Sequence, residues 1–118
     1  MKPLLNALYE QLGCLALYIV AFPAGIVLAE VQNLDFPLNL PKIIRHVGKF
    51  FYESKDPTYQ PPLSLDFTYP DFFLHARLLA PSQYGGLRVL LVLLPHDPPI
   101  FEDIIEEFTQ QLSSSPYW

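Results

Sequence analysis

The chain has 118 residues, 51% of them hydrophobic and 16% charged, whereas charged residues usually make up about 25%. That length suits one domain and not two, and the composition is the opposite of a disordered chain, which needs low hydrophobicity and high charge. Seven Lys and Arg against twelve Asp and Glu give a formal charge of −5, which excludes a general phosphate-backbone binder of nucleic acid.

Leu4, Leu5, Leu8 and Leu12 recur at helical spacing, so residues 3–12 are expected to form a short amphipathic helix with Pro3 in its first turn and Gly13 at its end. Residues 11–29, QLGCLALYIVAFPAGIVLA, then carry no charge. A run of about 18 mainly apolar residues is a candidate membrane span. Pro23-Ala24-Gly25 interrupts it, however, and no basic cluster flanks it. Each flank, Cys14 to Phe22 and Ile26 to Gln32, is strand-length and rich in β-branched or aromatic residues. Two strands joined by a tight turn are therefore the expectation, with a membrane segment as the alternative.

Asn33 to Leu38 is a loop, and Asn39 is a suitable N-cap with Pro41 in the first turn. Leu40, Ile43, Ile44, Val47 and Phe51 make one stripe, so residues 40–52 are a second helix. Residues 53–62, with Asp56-Pro57 and Pro61-Pro62, are expected to be a surface loop. Leu63 to Tyr69 alternates apolar and polar residues as a half-buried strand does, and Phe72 to Leu79 pairs back across a turn at Pro70-Asp71. A two-residue turn there puts Phe67 opposite Leu74, Leu65 opposite Ala76 and Asp66 opposite His75. The Asp66–His75 neighbours are an ordinary cross-strand polar pair or, alternatively, a pH-responsive patch. Ala80 to Gly86 is a second hairpin loop, and Leu87 to Leu94, apolar except for Arg88, is a central strand. Asp97 is expected to cap a last helix that starts at Pro98-Pro99 and packs through Phe101, Ile104, Ile105, Phe108 and Leu112. Residues 113–118 are expected to be a flexible tail to a single domain spanning 1–118. The order helix, two strands, helix, three strands, helix predicts an α+β sandwich: one five-stranded antiparallel sheet with helices on both faces.

Chemistry is sparse. One Cys excludes an internal disulfide and a Cys-based zinc site, and Cys14 at the head of an apolar strand is expected to be a buried small hydrophobe. His46, His75 and His96 stand singly, without metal-ligand spacing, and Gly85-Gly86 lacks the Lys and Ser/Thr of a phosphate loop. No catalytic, cofactor or metal residue is assigned. Glu102, Asp103, Glu106 and Glu107 form an acidic helix face, either a solvated surface complementing the helix dipole or a docking surface for a basic partner. Tyr52, Tyr59, Tyr69, Phe72, Phe73 and Tyr84 cluster around loops, as core filling or as an interface patch.

The element order, the strand-turn-strand of Leu15 to Glu30 with its Gly25-Ile-Val-Leu-Ala29, and the strand-loop-strand of Phe72 to Leu94 before a closing helix resemble the roadblock family of dynein light chains. The resemblance spans Leu4 to Leu112. Phe22-Pro23-Ala24 stands where such domains usually carry an acidic or Asn-Gly turn, and the proline-rich loop is unusual, so profilin-like and longin-like sandwiches stay open. The resemblance implies a non-catalytic cytoplasmic module without a cofactor, a homodimer built through the second helix and the adjacent edge strand, and a scaffold or regulator for a Ras-like small GTPase or a larger assembly. The apolar stripe of helix 40–52 beside the alternating strand 63–69 then points to Ile43, Ile44, Val47, Phe51, Leu65 and Phe67 as the expected interface. A membrane-associated accessory subunit and a ligand-binding sensor are the alternatives.

Overall fold

The structure, a computed structural model, describes residues 1–51, 62–83, 85–116 and 118. The elements follow the expected order: α1 (Lys2–Leu12), β1 (Ala16–Phe22), β2 (Ile26–Gln32), α2 (Leu40–Phe51), β3 (Ser64–Thr68), β4 (Phe73–Leu78), β5 (Leu87–Leu94) and α3 (Glu102–Ser113). The proline-rich loop, except for Pro62, and Tyr52, Tyr59 and Tyr84 lie outside the described residues.

Local chemistry explains most boundaries. The Gly13 N–H closes α1 on the carbonyl of Tyr9, and the Lys42 N–H reaches the Asn39 side-chain oxygen at 3.3 Å at the start of α2. The turn after β1 reverses the chain as expected, with the Gly25 N–H donating to the Ala21 carbonyl at 2.8 Å. Gly25 sits at φ +72°, and a β-carbon there would lie 3.0 Å from the Ile44 Cγ2. Gly25→Val is therefore expected to cost about 1–3 kcal/mol, from the left-handed backbone and the crowding of α2 together. Urea denaturation of the variant against the parent measures it.

The sheet is antiparallel with strand order β2-β1-β5-β4-β3. Its β3–β4 register pairs Leu65 with Ala76, Asp66 with His75 and Phe67 with Leu74, as turn and alternation together require. The uncharged stretch 11–29 holds β1 and most of β2. No helix among the described residues is long and apolar enough to cross a membrane.

Strands β1 and β5 are buried on both faces, and their side chains divide between two cores. Leu17, Ile19, Leu90, Val92 and Leu94 meet α1 and α3 through Leu5, Leu8, Ile105, Phe108 and Leu112. Tyr18, Val20, Val89, Leu91 and Leu93 meet α2 through Ile43, Ile44, Val47 and Phe51. Gly48 lets α2 approach closely, since a β-carbon there would lie 2.9 Å from the Phe22 ring. Strand β2 slips register between Ile19 and Val20, so that Val27 packs into the α2 core while Ala29 and Val31 pack into the other.

Two boundaries differ from expectation. Helix α3 begins at Glu102, with Phe101 as N-cap and no side-chain cap bond, rather than at Pro98 under an Asp97 cap. Asp97 and Pro98 each precede a proline, and a residue in that position is pushed out of the helical region. Glu102 and Asp103 complement the dipole in the first turn instead. Trp118, expected in a loose tail, is buried against the α1/α3 core. Its indole N–H donates to the Ala80 carbonyl at 2.9 Å, its own carbonyl accepts from the Gln83 N–H at 3.0 Å, and the Arg88 guanidinium lies 5.3 Å from its ring. A large ring that finds both an apolar bed and a partner for its N–H overrides the small, polar residues before it.

Candidate interaction surface

The amphipathic pattern of α2 fixes which of its residues are available. Ile43, Ile44, Val47 and Phe51, expected at an interface, lie inside the chain's own core, each 7% exposed or less. The stripe is apolar because it covers the sheet. Helix α2 turns Pro41, Lys42, Arg45, His46, Lys49 and Phe50 outward instead, Phe50 being 45% exposed. Leu65 and Phe67 of β3 are half-buried on the same side of the sheet.

Around them the aromatic side chains form a continuous run. The His46 ring is 5.0 Å from that of Phe67, Phe50 is 5.7 Å from Phe67, and Tyr69 stacks on Phe72 at 4.9 Å. His46 Nδ1 and the Tyr69 hydroxyl share a hydrogen bond of 2.8 Å, and His96 donates from Nε2 to the Tyr69 carbonyl at 2.6 Å. Of the aromatics singled out in the sequence, Tyr69 and Phe72 join this run, while Phe73 packs on the opposite face near Phe101.

Both outer strands are sheet edges, but they are not equivalent. Strand β2 carries the register slip, and Lys2 donates from its ammonium to the Glu30 carbonyl on it. A bulge and a charge are the usual protections of an edge. Strand β3 runs in unbroken register with β4. The Leu78 N–H donates to the Leu63 carbonyl at 2.8 Å and the Tyr69 N–H to the Phe72 carbonyl at 2.9 Å. Odd-numbered residues of β3 thus turn their backbone toward β4, and Ser64, Asp66 and Thr68 turn theirs away. Among the described residues no strand pairs with that outer side. Next to it Leu63 is 61% exposed.

The polar pair expected across β3 and β4 is present. His75 is buried on the α1/α3 face beneath Phe101, and its Nδ1 donates to Asp66 Oδ1 at 2.6 Å. The acidic face of α3 is partly engaged, because Arg77 of β4 donates from Nη2 to Glu106. Among the described residues no three His, Cys, Asp or Glu come together as metal ligands.

Cys14 is buried, and burial pushes its thiol up to about 11. Alkylation at pH 8 is expected to be roughly 100-fold slower than for a free cysteine, a comparison that a timed thiol assay of native and urea-unfolded protein makes directly. Burial raises the Tyr18 and Tyr69 hydroxyls as well. All three groups hold their protons more tightly when folded. Their contribution is thus intact below their unfolded values and is lost as the pH rises through the folded ones, so stability falls on the alkaline side.

A solved structure described as "MglB with tetrameric arrangement" matches with a TM-score of 0.67 at 13% identity, covering 94% of this chain and 83% of that one. The fold is roadblock-like. At that identity the likeness speaks for the fold alone. No protein-family model matches the sequence, and no curated protein sequence matches it.

Proposed function

We propose that this domain is a non-catalytic, dimeric interaction module of roadblock type that docks or regulates a Ras-like small GTPase or a larger protein assembly. The observation that carries the reading is the β3 edge, which no strand covers among the described residues: three residues with outward backbone groups, flanked by exposed Leu63 and Phe50. Such an edge needs a partner strand, and a second copy offers the self-complementary one. The roadblock-like fold and the tetrameric arrangement of MglB support an assembly of this kind.

Thr68→Pro tests it. The substitution removes an outward N–H and leaves the bonds to β4 intact, a position where an edge strand tolerates proline. The parent is expected to sediment as a dimer at micromolar concentration and Thr68→Pro as a monomer with an unchanged circular dichroism spectrum. A monomeric parent, or a variant that dimerises as well as the parent, refutes the model.

A further inference from the structure

Helix α2 carries Lys42, Arg45 and Lys49, three of the seven Lys and Arg of a chain with formal charge −5. All three are exposed, and among the described residues none of them lies within ion-pair distance of a carboxylate, as Arg77 does of Glu106. An acidic protein that gathers on one helix face three cations that no described carboxylate pairs with has built a local positive field there.

That face borders a groove of about 900 Å³, between α2, residues 37–39 leading into it and the β3–β4 turn at residues 69–72. Leu38, Ile43 and Phe72 line it with apolar surface, Lys42, Arg45 and Lys49 line its α2 side, and Asp71 stands on the opposite side, in the β3–β4 turn. The wall is fixed in place. Tyr69 is held by His46 through its hydroxyl and by His96 through its carbonyl, and Phe72 is stacked between Tyr69 and Phe36. A preformed apolar cleft with a few polar groups at its margin is the usual form of a binding site, and this volume lies within the usual range.

We propose that the groove binds an acidic peptide segment of a partner protein, with an apolar or aromatic side chain in the cleft and carboxylates on Lys42, Arg45 and Lys49. Three cations, Lys42, Arg45 and Lys49, against the one carboxylate of Asp71 leave the rim positive and select an anion. The concave, apolar interior selects a chain that can enter it, which a flat bilayer surface cannot do. The overall negative charge works against an extended anion such as a membrane or nucleic acid, whereas a short segment within a screening length of about 10 Å meets chiefly the local field of α2. The inference rests on the reading of the domain as an interaction module but not on its dimerisation, because none of the groove residues belongs to β3. Sedimentation and peptide binding therefore fail independently.

Fluorescence anisotropy decides it, with a labelled hexapeptide bearing Leu-Phe between two Glu pairs, its counterpart with Lys in place of Glu, and phosphatidylserine vesicles as a third probe. The acidic peptide is expected to bind, to weaken with added salt, and to lose roughly tenfold in affinity to the Lys42→Gln/Arg45→Gln protein, which lacks two of the three cations. Both substituted residues are exposed, and a thermal melt checks that the variant folds. No binding of the acidic peptide, equal binding of the Lys peptide, unchanged affinity in the folded variant, or capture by vesicles without the peptide would each overturn the proposal.

Discussion

Ile44→Glu is expected to unfold the domain and not to release a folded monomer. Ile44 is 7% exposed and packs between the sheet and the β1–β2 turn, its Cγ2 3.0 Å from where a β-carbon on Gly25 would sit. A carboxylate placed there has no cation within the α2 core, whose other members are hydrophobic. Burying an unpaired charge costs several kcal/mol, of the order of the total stability of a domain this size, about 5–15 kcal/mol. Loss of the far-ultraviolet signal at a protein concentration where the parent is folded is the expected readout. A folded, monomeric Ile44→Glu would show that this side chain meets a second chain, and it would return the α2 stripe to the interface.

Phe51→Ala is expected to cost about 3–5 kcal/mol, while Phe50→Ala costs under about 1 kcal/mol in a monomer. The two rings are adjacent in sequence and opposite in environment, Phe51 at 1% exposure inside the α2 core and Phe50 at 45% over Phe67. Urea midpoints measured under conditions where no dimer forms give the intrinsic difference. In the proposed dimer a second copy would cover this ring and add mass-action stabilisation, so Phe50→Ala would lose stability further at higher concentration. Equal costs at both positions would mean that α2 is rotated relative to the sheet.

The strand pattern was the most legible part of the chain. Alternation in 63–69 and a two-residue turn at Pro70-Asp71 agree on one register, and the structure has that register. The unbroken apolar run of Leu87 to Leu94 likewise marks the central strand that both cores share. Helix α2 was legible as an element but not in its destination. Amphipathicity says that Ile43, Ile44, Val47 and Phe51 need cover, and it does not distinguish a sheet of the same chain from a second subunit. The groove left no linear signal, because Lys42 and Phe72 are thirty residues apart in the sequence and meet only through the packing of α2 on the β3–β4 turn. The start of α3 was misplaced because Asp97 has the side chain of a cap while the backbone rule for residues before proline weighs against it. Trp118 was misplaced because a short polar stretch before it masks a ring that carries its own burial.

The double-sided burial of β1 and β5 has a kinetic counterpart. Each of these strands contributes alternate side chains to both helical layers, so neither layer can be lifted off without stripping one face of the same two strands. The layers therefore open together, and the backbone amides of β1 and β5 should exchange with deuterium only through global opening, at one shared free energy. Among the described residues strand β3 has one neighbouring strand, and its side chains alternate exposed and half-buried, so its amides should exchange sooner, through local fraying. Pairing with a second copy would close that early route, and slower exchange confined to residues 64–68 at high concentration would be its mark.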